Sequence, residues 1–145
     1  MATTSIGLAR YARDYFEAAK AADDVIGNKS GYEIIAPPPV MFLTAHAIEL
    51  GFKAYLLNTG ENLSSLKKLG HDLIVLWNVC SNNNINSILV LNKEELGLLE
   101  LISDLHVSTE LRYIDTGFKT FPVFGPLENL VSKILDAVCL NVGYR

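Results

Sequence analysis

VMFLTAHAIELGFKAYLL, residues 40–57, reads as one long helix that is apolar around most of its circumference. At 3.6 residues per turn, Val40, Leu43, Ala47, Ile48, Leu50, Ala54 and Tyr55 spread over more than half of it. Such a helix predicts burial on several sides. Three ionisable residues interrupt it: His46, Glu49 and Lys53. With a step of about 100° per residue they share one stripe, roughly 60° wide. His46 and Glu49 are spaced i,i+3, and Glu49 and Lys53 i,i+4. Ionisable groups in apolar surroundings are costly unless paired, so this stripe is the first candidate for chemistry.

Working outward, Pro37, Pro38 and Pro39 fix the start of this helix, because a proline at the first position loses no intrahelical bond. Asn58, Thr59 and Gly60 end it. Gly51, inside it, costs about 1 kcal/mol of helix propensity relative to Ala, which predicts close approach of a neighbouring helix. A first helix is predicted over Ser5 to about Ile26, with Ser5 as N-cap and Leu8, Ala12, Tyr15, Ala19, Ala22 and Ile26 as its apolar stripe. Leu63 to Lys68 reads as a single turn leading to Gly70-His71-Asp72-Leu73. Asp72 is then the N-cap of a third helix with Leu73, Leu76, Trp77 and Cys80 inward. Ser81 to Ser87 (SNNNINS) reads as a polar loop. Asn92 caps a further helix, with Glu94 and Glu95 where the helix dipole favours negative charge. Leu98, Leu101, Ile102 and Leu105 form its inner face; continued to Arg112, the helix would present that arginine inward. Tyr113 to Gly125 reads as an irregular crossing, and Pro126 starts a last helix with Leu127, Leu130, Val131, Ile134, Leu135 and Val138 at i, i+3, i+4, i+7, i+8 and i+11.

No segment alternates with period two. The predicted fold is all-α: an antiparallel up-and-down bundle of four long helices plus a short fifth, as a single domain over 1–145. Half the residues are apolar and 19% are charged, with formal net charge −4 and pI about 5.3, so a broad basic nucleic-acid face is not expected. Two cysteines, Cys80 and Cys139, match no metal spacing or disulfide framework, which fits a reducing cytoplasm. No uninterrupted apolar run approaches the roughly 18 residues of a membrane span. The first sixteen residues lack the apolar core of a signal peptide.

The sequence has no GxxxxGK[ST], GxGxxG, HExxH, CxxC or GxSxG. His46, His71 and His106 stand in three separate segments, so no metal site and no cofactor is expected. Two clusters remain, each with two readings. His46, Glu49 and Lys53 form either a surface stripe with a helix-stabilising pair or a polar line in a groove, with Glu49 paired to a cation such as Arg112. Gly70-His71-Asp72 is either a helix start or the place where His71 joins that groove. A histidine at a helix N-terminus is disfavoured as imidazolium, leaving it a base or an acceptor.

The order AIELGFKAYLL, then LKKLGHDLIVLW, then an acidic amphipathic segment ending in LRY resembles the HEPN superfamily of helical nucleotide-binding domains, over roughly Ala45 to Tyr113. Glu49, Lys53 and Ala54 followed by Gly70-His71-Asp72-Leu73 carry the likeness. It implies a helical bundle, a homodimer, and a prokaryotic defence or toxin–antitoxin setting, often beside a nucleotidyltransferase-type antitoxin. Many members are metal-independent RNases with an Arg followed four to six residues later by a His. No histidine follows Arg112 here. The resemblance thus implies a non-catalytic or degenerate module binding RNA, a nucleotide or a partner protein in a groove of His46, Glu49, Lys53, His71, Asp72, Arg112 and Tyr113. The alternative is a ribonuclease toxin using His71 or His106 across a dimer interface. A third reading makes the stripe an internal ion-pair network. Phe118, Phe121 and Phe124 suggest an aromatic interface, or else a loop anchored on the protein's own core.

Overall fold

The computed structural model describes residues 2–32, 35–108 and 123–145. Among them the chain is all-helical, in the order α1 (Ser5–Ile26), α2 (Pro38–Thr59), α3 (Leu63–Leu69), α4 (Leu73–Asn82), a 3-10 turn (Ile85–Ser87), α5 (Lys93–Val107) and α6 (Phe124–Val142). There are thus six α-helices rather than five. The added element is α3, which Asn62 caps by accepting from Ser65 N–H. The 81–87 segment is also more ordered than a polar loop. α4 runs into it as far as Asn82, and Ile85 is buried inside the 3-10 turn.

α2 is the hub: α1, α3, α4, α5 and α6 all pack on it. Val40, Met41, Ala45, Ala47, Ile48, Phe52, Ala54 and Leu56 are fully buried, so apolar side chains face neighbours in nearly every direction. The helix has the length of a membrane span, and its best 18-residue window has mean hydropathy 1.3, but 67% of that window is buried within the protein. Its mean hydropathy is high although His46, Glu49 and Lys53 break the apolar run; the apolar surface is taken up by the five helices around it.

Helix directions follow from the contacts. Ser5 Oγ hydrogen-bonds Asn58 Oδ1, and the Tyr15 ring meets His46, so α1 runs antiparallel to α2. Leu135 lies against Gly51, and Asn58 Nδ2 donates to Asn141 Oδ1, so α6 runs parallel to α2. α1 is capped by Thr4 rather than Ser5, the Thr4 hydroxyl accepting from Gly7 N–H. Its buried residues are Ala9, Ala12, Phe16 and Ala19, while Tyr15 is exposed. The three alanines allow α1 to lie close on α2, which rotates the inner face toward Phe16. α5 is rotated likewise, with Leu99, Ile102, Ser103, Leu105 and His106 buried and Leu98 and Leu101 only partly so. α6 begins at Phe124, two residues before Pro126. A proline fits anywhere in the first turn, since those N–H groups have no intrahelical acceptor. All six of its predicted inward residues are buried, as is Phe124; Phe118 and Phe121 lie outside the described residues.

Gly51 marks the tightest contact between α2 and α6. A Cβ placed there would stand 2.8 Å from Leu135 Cδ2, and Leu135 is itself fully buried. Gly51→Val adds a branched side chain where none fits. We expect it to destabilise the protein by about 1–3 kcal/mol through overpacking, more than any gain in helix propensity. Urea denaturation followed by circular dichroism checks this; an unchanged midpoint would mean that α6 stands farther off.

Candidate functional site

Three helices deliver the site. On α2, Glu49 is almost wholly buried and Lys53 follows one turn later, its Nζ 3.0 Å from Glu49 Oε2. Between α3 and α4 the chain turns at Gly70, whose φ of 69° favours a residue without Cβ. Asp72 then caps α4, its Oδ1 accepting from Ile74 and Val75 N–H. This cap holds His71 immediately before the helix. On α5, Ser103 Oγ accepts from Leu73 N–H and donates to Asp72 Oδ1, which ties the start of α4 to α5. One turn beyond Ser103 stands His106.

The two histidines meet on one oxygen. His71 Nδ1 lies 2.8 Å and His106 Nε2 2.9 Å from Glu49 Oε1. Glu49 thus receives three donors on its two oxygens. Burial alone pushes its carboxyl pKa up. The hydrogen bonds from His106, Lys53 and His71 outweigh burial and bring it down to about 2, so the group is a carboxylate at neutral pH. Donation to a carboxylate also assigns the protons: His71 carries Nδ1–H and His106 carries Nε2–H. His106 is completely buried, and its Nδ1 has no hydrogen-bond partner among the described residues. The His71 side chain is 55% exposed, and no hydrogen bond to its Nε2 is present among the described residues.

His46 completes the group. Its ring meets Tyr15 edge-on at 4.5 Å between centroids and lies parallel to Phe42 at 6.3 Å. Phe42 also faces His106 at 5.9 Å, and His71 and His106 are 5.9 Å apart. Burial is the main cause lowering the His46 pKa, against the opposing pull of Glu49, so its imidazole is neutral at pH 7.

Of the residues singled out in the sequence, His46, Glu49, Lys53 and His71 come together. Asp72 faces the helix start and Ser103, serving as cap and tie. Arg112 and Tyr113 lie outside the described residues, and the cations and N–H donors seen on Glu49 are Lys53, His71 and His106. His106 enters within a single chain, where the sequence reading had used it only across a dimer interface. Its signal was present: Ile102 and His106 are spaced i,i+4, so an inward Ile102 brings His106 inward too. Ser103 had no comparable signal, because its part depends on the position of α4. The three histidines, distant in sequence, surround one carboxylate, and ligand atoms of His46, Glu49 and His106 all lie within 4.8 Å of one another. Comparison with family models, with curated proteins and with solved structures found no match for this chain.

Proposed function

We propose that the chain is a HEPN-like module, an antiparallel bundle of four long helices with shorter ones added, that binds RNA or a nucleotide at the Glu49 cluster. It acts as a homodimer in the cytoplasm, within a prokaryotic defence or toxin–antitoxin pair whose second member is a nucleotidyltransferase-type antitoxin. The observation that supports this reading best is the half-exposed His71, fixed through Nδ1 by a buried carboxylate and with Nε2 turned to no other described group. An imidazole held this way offers one directed contact to a ribose hydroxyl, or to a phosphate when protonated. It stands before the N-terminus of α4, where the helix dipole favours an anion. Arg112 follows His106 by six residues and supplies the guanidinium suited to bidentate phosphate contact.

A second reading has its own support. A carboxylate that orients Nδ1–H of a histidine leaves Nε2 as a general base, and a ribose 2′-OH is a substrate for such a base. The chain would then be a ribonuclease. Both readings place His71 at the ligand. Fluorescence anisotropy with labelled single-stranded RNA is expected to show binding, weakened at least tenfold by His71→Ala with the helical circular dichroism retained. Equal binding by His71→Ala, or none by the wild type at micromolar concentration, would remove the RNA reading. Cleavage of that RNA by the wild type without added metal, lost in His71→Ala, would favour the ribonuclease.

A further inference from the structure

The geometry points to a divalent metal centre of the zinc class, formed by His46 and Glu49 from α2 and His106 from α5. Two imidazoles and a carboxylate form one of the donor sets that hold zinc where a fourth position is left open. Around a tetrahedral ion with bonds of about 2.0–2.1 Å, neighbouring ligand atoms are roughly 3.3 Å apart. The three candidate atoms already lie within 4.8 Å of one another, so side-chain rotations closing the gaps by about 1.5 Å at most would complete the set. His46 and Glu49 need no backbone movement, being one turn apart on the most heavily packed helix.

Three further features suit a cation. His106 is wholly buried, with Nε2 aimed at Glu49 Oε1 and Nδ1 unpartnered among the described residues. Lys53 binds Glu49 through Oε2, while both histidines use Oε1. Oε1 is therefore the oxygen for the ion, and Lys53 remains an outer partner of the ligating carboxylate, as metal-bound carboxylates usually have. The rings of Tyr15 and Phe42 pack on His46, and Phe42 also faces His106, giving the site an aromatic wall. Three protein ligands leave a fourth position for water or for the half-exposed His71. An ion bound at His106 Nε2 takes the place of the hydrogen bond to Glu49, and the imidazole proton passes to Nδ1, so ion and proton compete for that nitrogen.

This centre shares Glu49 with the proposed RNA site, but it is assayed without nucleic acid, so the failure of one reading is distinguishable from the failure of the other. Protein stripped with chelator is titrated with Co2+ and followed by visible absorption, then challenged with Zn2+. One Co2+ per chain, with the intense visible bands of four-coordinate cobalt and displacement by Zn2+, is expected. His46→Gln, a change at a half-buried residue, is expected to weaken binding at least tenfold while circular dichroism stays native. His106→Asn is expected to do the same. If His106→Asn does not fold, His46→Gln alone decides. Absence of stoichiometric binding by the wild type, or equal affinity in a folded His46→Gln protein, would overturn the assignment.

Discussion

Glu49→Ala is expected to lower stability by about 3–5 kcal/mol, the usual cost of removing one partner from a buried charged pair. The carboxylate is the acceptor for Lys53, His71 and His106 together. Without it, His71 turns to water, being 55% exposed. Lys53, 13% exposed, must strain outward or stay unpaired. His106, with no exposure, loses the one hydrogen-bond partner it has among the described residues and leaves Nε2 bare in the core. Burial of an unsatisfied polar group costs about 1–3 kcal/mol, so His106 and Lys53 together account for most of the loss. Glu49→Gln keeps the shape but puts an N–H among donors, and is expected to lose less. Urea denaturation at pH 7 measures both, and a Glu49→Ala midpoint equal to wild type would show that the cluster contributes no stability.

The pH dependence has one sign. Glu49 is depressed in the fold from 4.5 to about 2, and His46 is lowered from 6.5. For a group whose folded pKa is lowered, the unfolded chain binds the proton first, so its stabilisation is full above the unfolded pKa and is lost as pH falls. His46 therefore weakens the fold below about pH 6.5, and Glu49 weakens it further from about pH 4.5 down to about 2. In Glu49→Gln the second, more acidic part of this decline should be smaller, leaving the share of Glu95, which is also lowered.

Phe52→Ala is expected to cost about 3–5 kcal/mol, the range for removing a fully buried aromatic ring. Phe52 has no exposure and lies tilted against Trp77 with centroids 5.7 Å apart. Its carbonyl also accepts from the Cys80 thiol. These contacts join α2 to α4, so the cavity would open between two helices that each carry part of the site. Trp77 is the chain's single tryptophan, so its emission reports on that cavity directly. A red shift in the native state, together with a melting temperature lower by about 10 °C or more, is the expected pair of results. A native-like emission with an unchanged melting temperature would show that the core closes over the missing ring.

The hub helix was legible because its signal is local. A run apolar on most sides can only be buried on most sides, and α2 indeed contacts all five other α-helices. α6 was legible for the same reason: a repeat of i, i+3, i+4 and i+7 over twelve residues leaves little freedom of phase. The phases of α1 and α5 were not. Each carries alternative apolar residues on adjacent faces, such as Tyr15 beside Phe16 and Leu98 beside Leu99, and close packing rather than periodicity selects between them. At the site, the Glu49–Lys53 pair is fixed by helical spacing alone. The meeting of His71 and His106 on one oxygen needs the relative placement of α2, α4 and α5, and no local pattern holds that information. The expected pairing of Glu49 with Arg112 falls on a residue outside those described.

Because α2 touches every other α-helix among the described residues, it cannot open without loosening the packing around it. Amide protons beside Glu49 should therefore exchange only through global unfolding, the highest-energy route available to a small protein. A carboxylate mounted there is a fixed reference point. Of the side chains on that carboxylate, His71, half-exposed and held between two short helices, is the one with room to adjust. The centre of the site is thus rigid and its rim adaptable, a division set by which helix supplies which side chain.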